Sequence, residues 1–167
     1  AGNLSTTSTG TDAIVVNAGK DTAAGTKTGG NVTISGSPTL SVGTGGRATI
    51  YTGGISESTG VHTIVGGASG QSRYNSDESA SNFTTALGAG GYVIYREQPT
   101  VTFTASNDSK TYDASTYSGG NGYTVSGLQN SDAEGLLSGS ISYVGSAQGA
   151  KNVGSYAITP TGITDTL

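Results

Sequence analysis

Few side chains in this sequence are suited to catalysis. Among 167 residues there is one histidine, His62, and no cysteine, methionine or tryptophan. His62 sits in the strand-like run Val61-His62-Thr63-Ile64-Val65 and reads as a surface or packed imidazole. No serine has glycine both two residues before and two residues after it, so there is no nucleophile elbow. Gly19-Lys20 precedes Asp21 and lacks the upstream glycine of a phosphate loop. Gly43-Thr44-Gly45-Gly46-Arg47-Ala48 fits only the loosest dinucleotide fingerprint. The next residues, Thr49-Ile50-Tyr51-Thr52, read as a strand, leaving no helix N-terminus to hold a pyrophosphate.

The carboxylates are as sparse. Asp12, Asp21, Glu57, Asp77, Glu78 and Glu97 fall at unrelated places in the first hundred residues, where a polysaccharide-cleaving site would need two that converge. Gly119-Gly120-Asn121-Gly122-Tyr123-Thr124 looks like a calcium-binding nonapeptide, but Thr124 stands where a carboxylate is required, and the pattern occurs once. Asp77-Glu78 and Asp132-Ala133-Glu134 have no further ligands nearby in sequence. The sequence therefore identifies no catalytic residue, no metal ligand and no cofactor. The usable feature is aromatic: nine tyrosines against two phenylalanines. A tyrosine in or beside a strand ordinarily reflects strand preference, with its hydroxyl left in water. Tyr112, Tyr117 and Tyr123 are the candidates for stacking on a sugar ring or a partner surface.

Those residues are carried by an unusual background. Gly, Ser, Thr and Ala make up 94 of the 167 residues, while Leu, Ile, Val and Phe supply 29. Charged residues are 11% and the net charge is −4. Good helix formers are scarce, which excludes a helix bundle. Seven basic residues give no nucleic-acid footprint. No apolar run approaches the ~18 residues of a membrane helix. So thin a core per residue points to order maintained by repeated backbone hydrogen bonding.

The apolar residues come in short, mostly β-branched runs: 13–16, 32–34, 40–42, 48–51, 61–65, 92–95, 101–104, 123–126, 141–144 and 156–159. Most alternate with period two, the strand pattern. The one helix-like piece is Ser131–Leu137, where Asp132 could cap a single turn. Gly30-Asn31-Val32-Thr33-Ile34 recurs as Gly46-Arg47-Ala48-Thr49-Ile50. Short strands with glycine corners suit a parallel β-helix of about 20 residues per coil, with threonines on a solvated outer face. The expected architecture is all-β: a right-handed parallel β-helix over 1–96, with an irregular cap at about 67–91, then a small β-rich module over 97–167. Arg96-Glu97-Gln98-Pro99 reads as the joint.

Three stretches make the chain resemble a known family. Gly45–Gly53, Tyr74-Asn75-Ser76-Asp77 and Tyr92–Pro99 are similar to the end of the β-helical stalk in filamentous-haemagglutinin-like adhesins. Ser109-Lys110-Thr111-Tyr112-Asp113, Tyr123–Leu128 and Asn152–Pro160 resemble one YDG/MBG-type adhesin repeat. The resemblance implies a Gram-negative exoprotein exported by two-partner secretion and displayed at the cell surface or secreted. It also implies a terminal module of β-grasp-like or immunoglobulin-like form. Two departures stand out. Where the repeat's name motif has Gly, this chain has Tyr112-Asp113-Ala114, which alters the turn if that position takes φ > 0. The usual final Tyr-rich strand is missing before Leu167, so the module is read as a truncated one within a larger protein.

The resulting expectation is a non-enzymatic adhesin segment, a rigid stalk joined to a display module. The rival is a carbohydrate-binding module recognising host glycan or biofilm polysaccharide through Tyr112, Tyr117 and Tyr123. A polysaccharide-cleaving β-helix ranks third. Expected partners are surface glycans and the neighbouring coils or repeats of a parent chain, with no nucleic acid and no membrane span. Unpaired edges also favour self-association, unless polar residues such as Asn3–Thr11 blunt them.

Overall fold

The computed structural model describes residues 2–165, and they are all-β with almost no helix and only small sheets. The chain divides into two compact units. The first holds residues 2–99 together with Gln129–Leu136, and the second holds Thr100–Leu128 and Leu137–Asp165.

In the first unit, β1 (Leu4–Ser5) pairs in parallel with β3 (Leu40–Ser41). A second parallel sheet runs β2 (Ile14–Asn17), β4 (Arg47–Thr52), β6 (Gly90–Tyr95), β5 (Ser72–Arg73). Its register stacks Val16 on Ile50 and Ile50 on Val93, a ladder of β-branched side chains about 4.8 Å apart. Around this column Ile50, Val61, Val65, Tyr74, Val93 and Tyr95 form the core. Paired residues are separated along the chain by 36 (Leu4 to Leu40), 34 (Ile14 to Ala48) and 43 (Ile50 to Val93). The β5–β6 pair is separated by 21 (Ser72 to Val93), close to the period of about 20 expected from the glycine-cornered repeat, and the other three pairs span more.

Three local expectations change. Residues 30–34 form no strand and run beside 53–59, bonded by Gly53 N–H to Gly30 O and Ile34 N–H to Thr59 O. Val61–Ile64 is a single helical turn, α1, and not a strand. Gly60 enters it at φ 76° and Gly66 leaves at φ 128°, while Val61 and Val65, four apart on one helix face, are both buried. Threonines of the sheet do not all face water either. Thr49 and Thr52 are buried, and the Thr52 hydroxyl accepts Val32 N–H and bonds the Ser58 hydroxyl at 2.7 Å.

No strand or helix lies between Tyr74 and Ala89. Asp77 organises this stretch: its carboxylate accepts backbone N–H groups from Ser79, Ala80 and Ala24.

The second unit is built from two antiparallel ribbons. β7 (Thr102–Ala105) pairs with β8 (Tyr123–Ser126), and β9 (Leu137–Val144) pairs with β10 (Thr159–Asp165), whose register breaks between Thr161 and Ile163. β10 also packs against β7. The strands alternate half-buried and exposed positions. Ala147 is the single buried apolar residue of this unit among those described, so its stability rests on ribbons and turns more than on a core.

Candidate functional site

The second unit carries a groove of about 450 Å³ between residues 107–115 and 150–156. Of the three tyrosines singled out from the sequence, it brings two together. Tyr112 stands 62% exposed at the groove. Tyr117 is half-buried there; its backbone is fixed by N–H to Ala150 O and by Gly149 N–H, and its hydroxyl donates to Asp108 Oδ2 at 2.8 Å. That bond to a carboxylate holds the Tyr117 hydroxyl above its ordinary pKa. Tyr123 lies elsewhere. It pairs with Ala105 in the β7–β8 ribbon, and its ring packs on Phe103 at 6.1 Å. The groove gains instead Tyr156, 42% exposed, whose hydroxyl donates to Asn152 O at 3.0 Å. Period-two alternation over 156–159 suggests a strand, yet β10 begins only at Thr159. The ring at 156 is therefore presented by a loop, which the local pattern does not signal.

The groove wall at Tyr112 is shaped by a polar knot. Lys110 Nζ contacts Asp113 and donates to Ser115 Oγ at 2.8 Å, while Asp113 Oδ1 also accepts Ser115 N–H and O–H. The bond from Lys110, then those from Ser115, hold the Asp113 carboxyl well below its usual range. Ala114 completes the turn at φ 59°, so the position where the repeat's motif has glycine does take a left-handed backbone here. An L-residue in that region is strained by about 1–2 kcal/mol. Part of that is offset by the greater unfolded-state freedom of glycine. Ala114→Gly is accordingly expected to stabilise the second unit by roughly 0.5–1 kcal/mol, read as a raised urea midpoint. No change or a lowered midpoint would show that the strain is relieved in another way.

In the first unit the buried charges are structural. Arg96 is fully buried and donates to four backbone carbonyls: Ala18 O at 2.7 Å, Gly30 O at 2.8 Å, and Thr26 O and Thr28 O at 3.3 Å each. It locks the loop 18–30 to the end of β6. Gly19 makes room for it, since a Cβ there would lie 2.7 Å from Arg96 Nη2, and Gly30 lets its segment approach Gly19 closely, since a Cβ on it would lie 2.5 Å from Gly19 N. Arg73 is buried between the rings of Phe83 and Tyr92, each 5.6 Å from its guanidinium carbon, an arrangement that stabilises a cation over aromatic faces.

Tyr74 is buried and stacks on Tyr95 at 5.6 Å. Its hydroxyl donates to Asp132 Oδ2 at 2.7 Å and accepts from Asn130 Nδ2 at 3.2 Å. Burial, reinforced by Asp132, pushes that hydroxyl far above its ordinary pKa. Asp132 is therefore no helix cap. The helical turn near it is a short 3₁₀ piece, Glu134–Leu136, and Asp132 Oδ1 accepts Gly70 N–H at 2.9 Å. His62 lies in α1 with Nδ1 3.2 Å from Ser72 Oγ. Among the described residues no group of three or more His, Asp or Glu side chains is placed to hold a metal.

Three of the first-unit carboxylates named above, Asp77, Glu78 and Glu97, bond the backbone. Besides Asp77, Glu78 accepts Asp21 N–H and Glu97 accepts Ile55 N–H at 2.7 Å. These amide bonds hold Asp77 and Glu78 below their ordinary pKa. A general acid in glycoside hydrolysis needs the opposite shift.

An all-β chain of small sheets, with an open tyrosine-lined groove in its second unit, is the class that these observations define. Residues 101–166 match the family model of the MBG domain (YGX type). The second part of the chain thus carries a YDG/MBG-type repeat, a domain found in surface or adhesin-like proteins. No curated protein and no solved structure matches the chain.

Proposed function

We propose that this chain is a non-catalytic segment of a large bacterial adhesin, surface-exposed or secreted, of the filamentous-haemagglutinin-like, two-partner-secretion type. The first unit would be the end of a right-handed parallel β-helical stalk. The MBG-type module would be the part it displays in attachment or aggregation. The observation that carries this reading is the MBG match over 101–166. Parallel pairing throughout the first unit supports the stalk, since its strands ladder onto partners mostly 34 to 43 residues away along the chain. Support for a non-catalytic role comes from carboxylates occupied by backbone amides and from a histidine bonded to Ser72. Antibodies against the chain are expected to label intact cells of the bacterium that makes it, or its culture medium. Label found only after lysis would overturn the reading.

The groove favours a second reading, in which the module itself recognises glycan. Two exposed tyrosine rings facing one open groove suit the apolar face of a sugar. Binding on a glycan array that is lost on Tyr112→Ala would support it.

A further inference from the structure

We propose that the groove of the second unit binds an acidic saccharide, with Tyr112 and Tyr156 as platforms for the sugar ring and Lys151 as partner of its carboxylate. The proposal rests on the glycan-binding reading of the module and names its ligand class.

Three observations lead there. Six large apolar side chains stand exposed among the described residues, and three of them, Tyr112, Val153 and Tyr156, line this one groove. Exposed apolar surface gathered in a concavity marks a binding site more than a random surface does. A pyranose offers an apolar C–H face and a polar rim, which an exposed tyrosine ring can match on both counts.

The second observation concerns charge. The second unit has two cations, Lys110 and Lys151, and both line the groove. Lys110 is bound by Asp113 and Ser115. Lys151 is exposed and makes no ion pair or hydrogen bond among the described residues. Asp108, the acid lining the groove, already has protein donors on both oxygens: Ser109 N–H on Oδ1 and the Tyr117 hydroxyl on Oδ2, each at 2.8 Å. The open charge in the groove is therefore an ammonium.

The third is the rim. The side-chain amides of Asn107 and Asn152 border the groove and have no partner within the described fold, leaving donors and acceptors for sugar hydroxyls. Neutral sugar contacts alone would leave Lys151 without a role. A carboxylate on the sugar supplies one.

The test compares oligogalacturonate with the same oligomer methyl-esterified, which keeps the ring and removes the charge, titrated into the full chain by calorimetry. A solvent-exposed ammonium–carboxylate pair is a weak contact. The acid form is therefore expected to bind about fivefold more tightly at low salt, with the advantage shrinking as salt rises. Lys151→Gln is expected to abolish the advantage and keep the weaker, ester-like binding. The Tyr112→Ala/Tyr156→Ala double variant is expected to lose both ligands. All three side chains are exposed, and near-ultraviolet circular dichroism checks that each variant is folded. Equal binding of acid and ester would overturn the acidic assignment and leave glycan recognition standing. Failure of both ligands, and of neutral glycans on an array, would overturn glycan recognition itself.

Discussion

Arg96→Ala is expected to destabilise the first unit by about 3–5 kcal/mol, the largest effect of any single substitution outside the glycine corners. The guanidinium is fully buried and satisfies four carbonyls drawn from Ala18, Thr26, Thr28 and Gly30. Each buried acceptor left without a donor costs about 1–3 kcal/mol. Two of the four bonds, at 2.7 and 2.8 Å, are short enough to count near the top of that range. Relief of the burial penalty on the cation, which already draws its pKa down, offsets part of the loss, as does any water entering the vacated space. Arg96→Lys should fall between wild type and alanine. One ammonium carries three donors from a single point and cannot reach four carbonyls arranged around a planar fork. Urea unfolding read through the near-ultraviolet signal of buried Tyr74 and Tyr95 measures the change. Hydrogen exchange should show the amides of residues 18–30 opening first in the lysine variant. A loss below about 1 kcal/mol for alanine would mean that the loop holds without its anchor.

The second large effect is expected at Asp132. Asp132→Ala should cost about 2–3 kcal/mol, because it strips the acceptor from both the Tyr74 hydroxyl and Gly70 N–H. Tyr74→Phe removes only one of those bonds and should cost about 1–1.5 kcal/mol. The two share a bond, so the double variant should be less destabilised than the sum of the singles by about 1 kcal/mol. The segment carrying Asp132 is itself under tension: Asn130 and Ser131 have φ of 49° and 62°, the left-handed region, in succession. Such backbone persists only where surrounding contacts over-determine it. With Asp132 gone, residues 129–136 should become the first site of limited proteolysis. Resistance there equal to wild type, together with additive energies, would show that the segment's other contacts, Leu136 packing and Ala133 N–H to Ser69 Oγ among them, secure it.

These two residues show where reading the sequence stops. The strands at 47–52, 90–95, 102–105 and 123–126 are legible because period-two alternation is a property of neighbouring residues. The absence of long helices comes from composition in the same way. Val61–Ile64 misleads because the same apolar run serves a strand or a helical turn, and the left-handed glycine at 60 decides for the turn. Arg96 looks like part of a hydrophilic joint beside Pro99. Nothing near it in sequence announces acceptors 66 to 78 residues away. At the groove, Tyr112 and Tyr117 are recognisable from their type; the same criterion also selects Tyr123, which the fold places in the β7–β8 ribbon away from the groove. Tyr156 escapes it because the run around it alternates like a strand.

The amino-acid sequence by itself determined that this chain is all-β and built of short strands with glycine turns, and that its second part is an MBG-type repeat. Those properties are local, set by side-chain branching, alternation and backbone freedom over a few residues. The tertiary structure alone decided which charges are buried anchors, that Asp132 holds Tyr74 and caps no helix, and which tyrosines share a groove with an unpaired lysine. Each of those is a meeting of residues tens of positions apart. The offsets that bring the parallel strands together, 21, 34, 36 and 43, vary too widely to be read from one fixed repeat period.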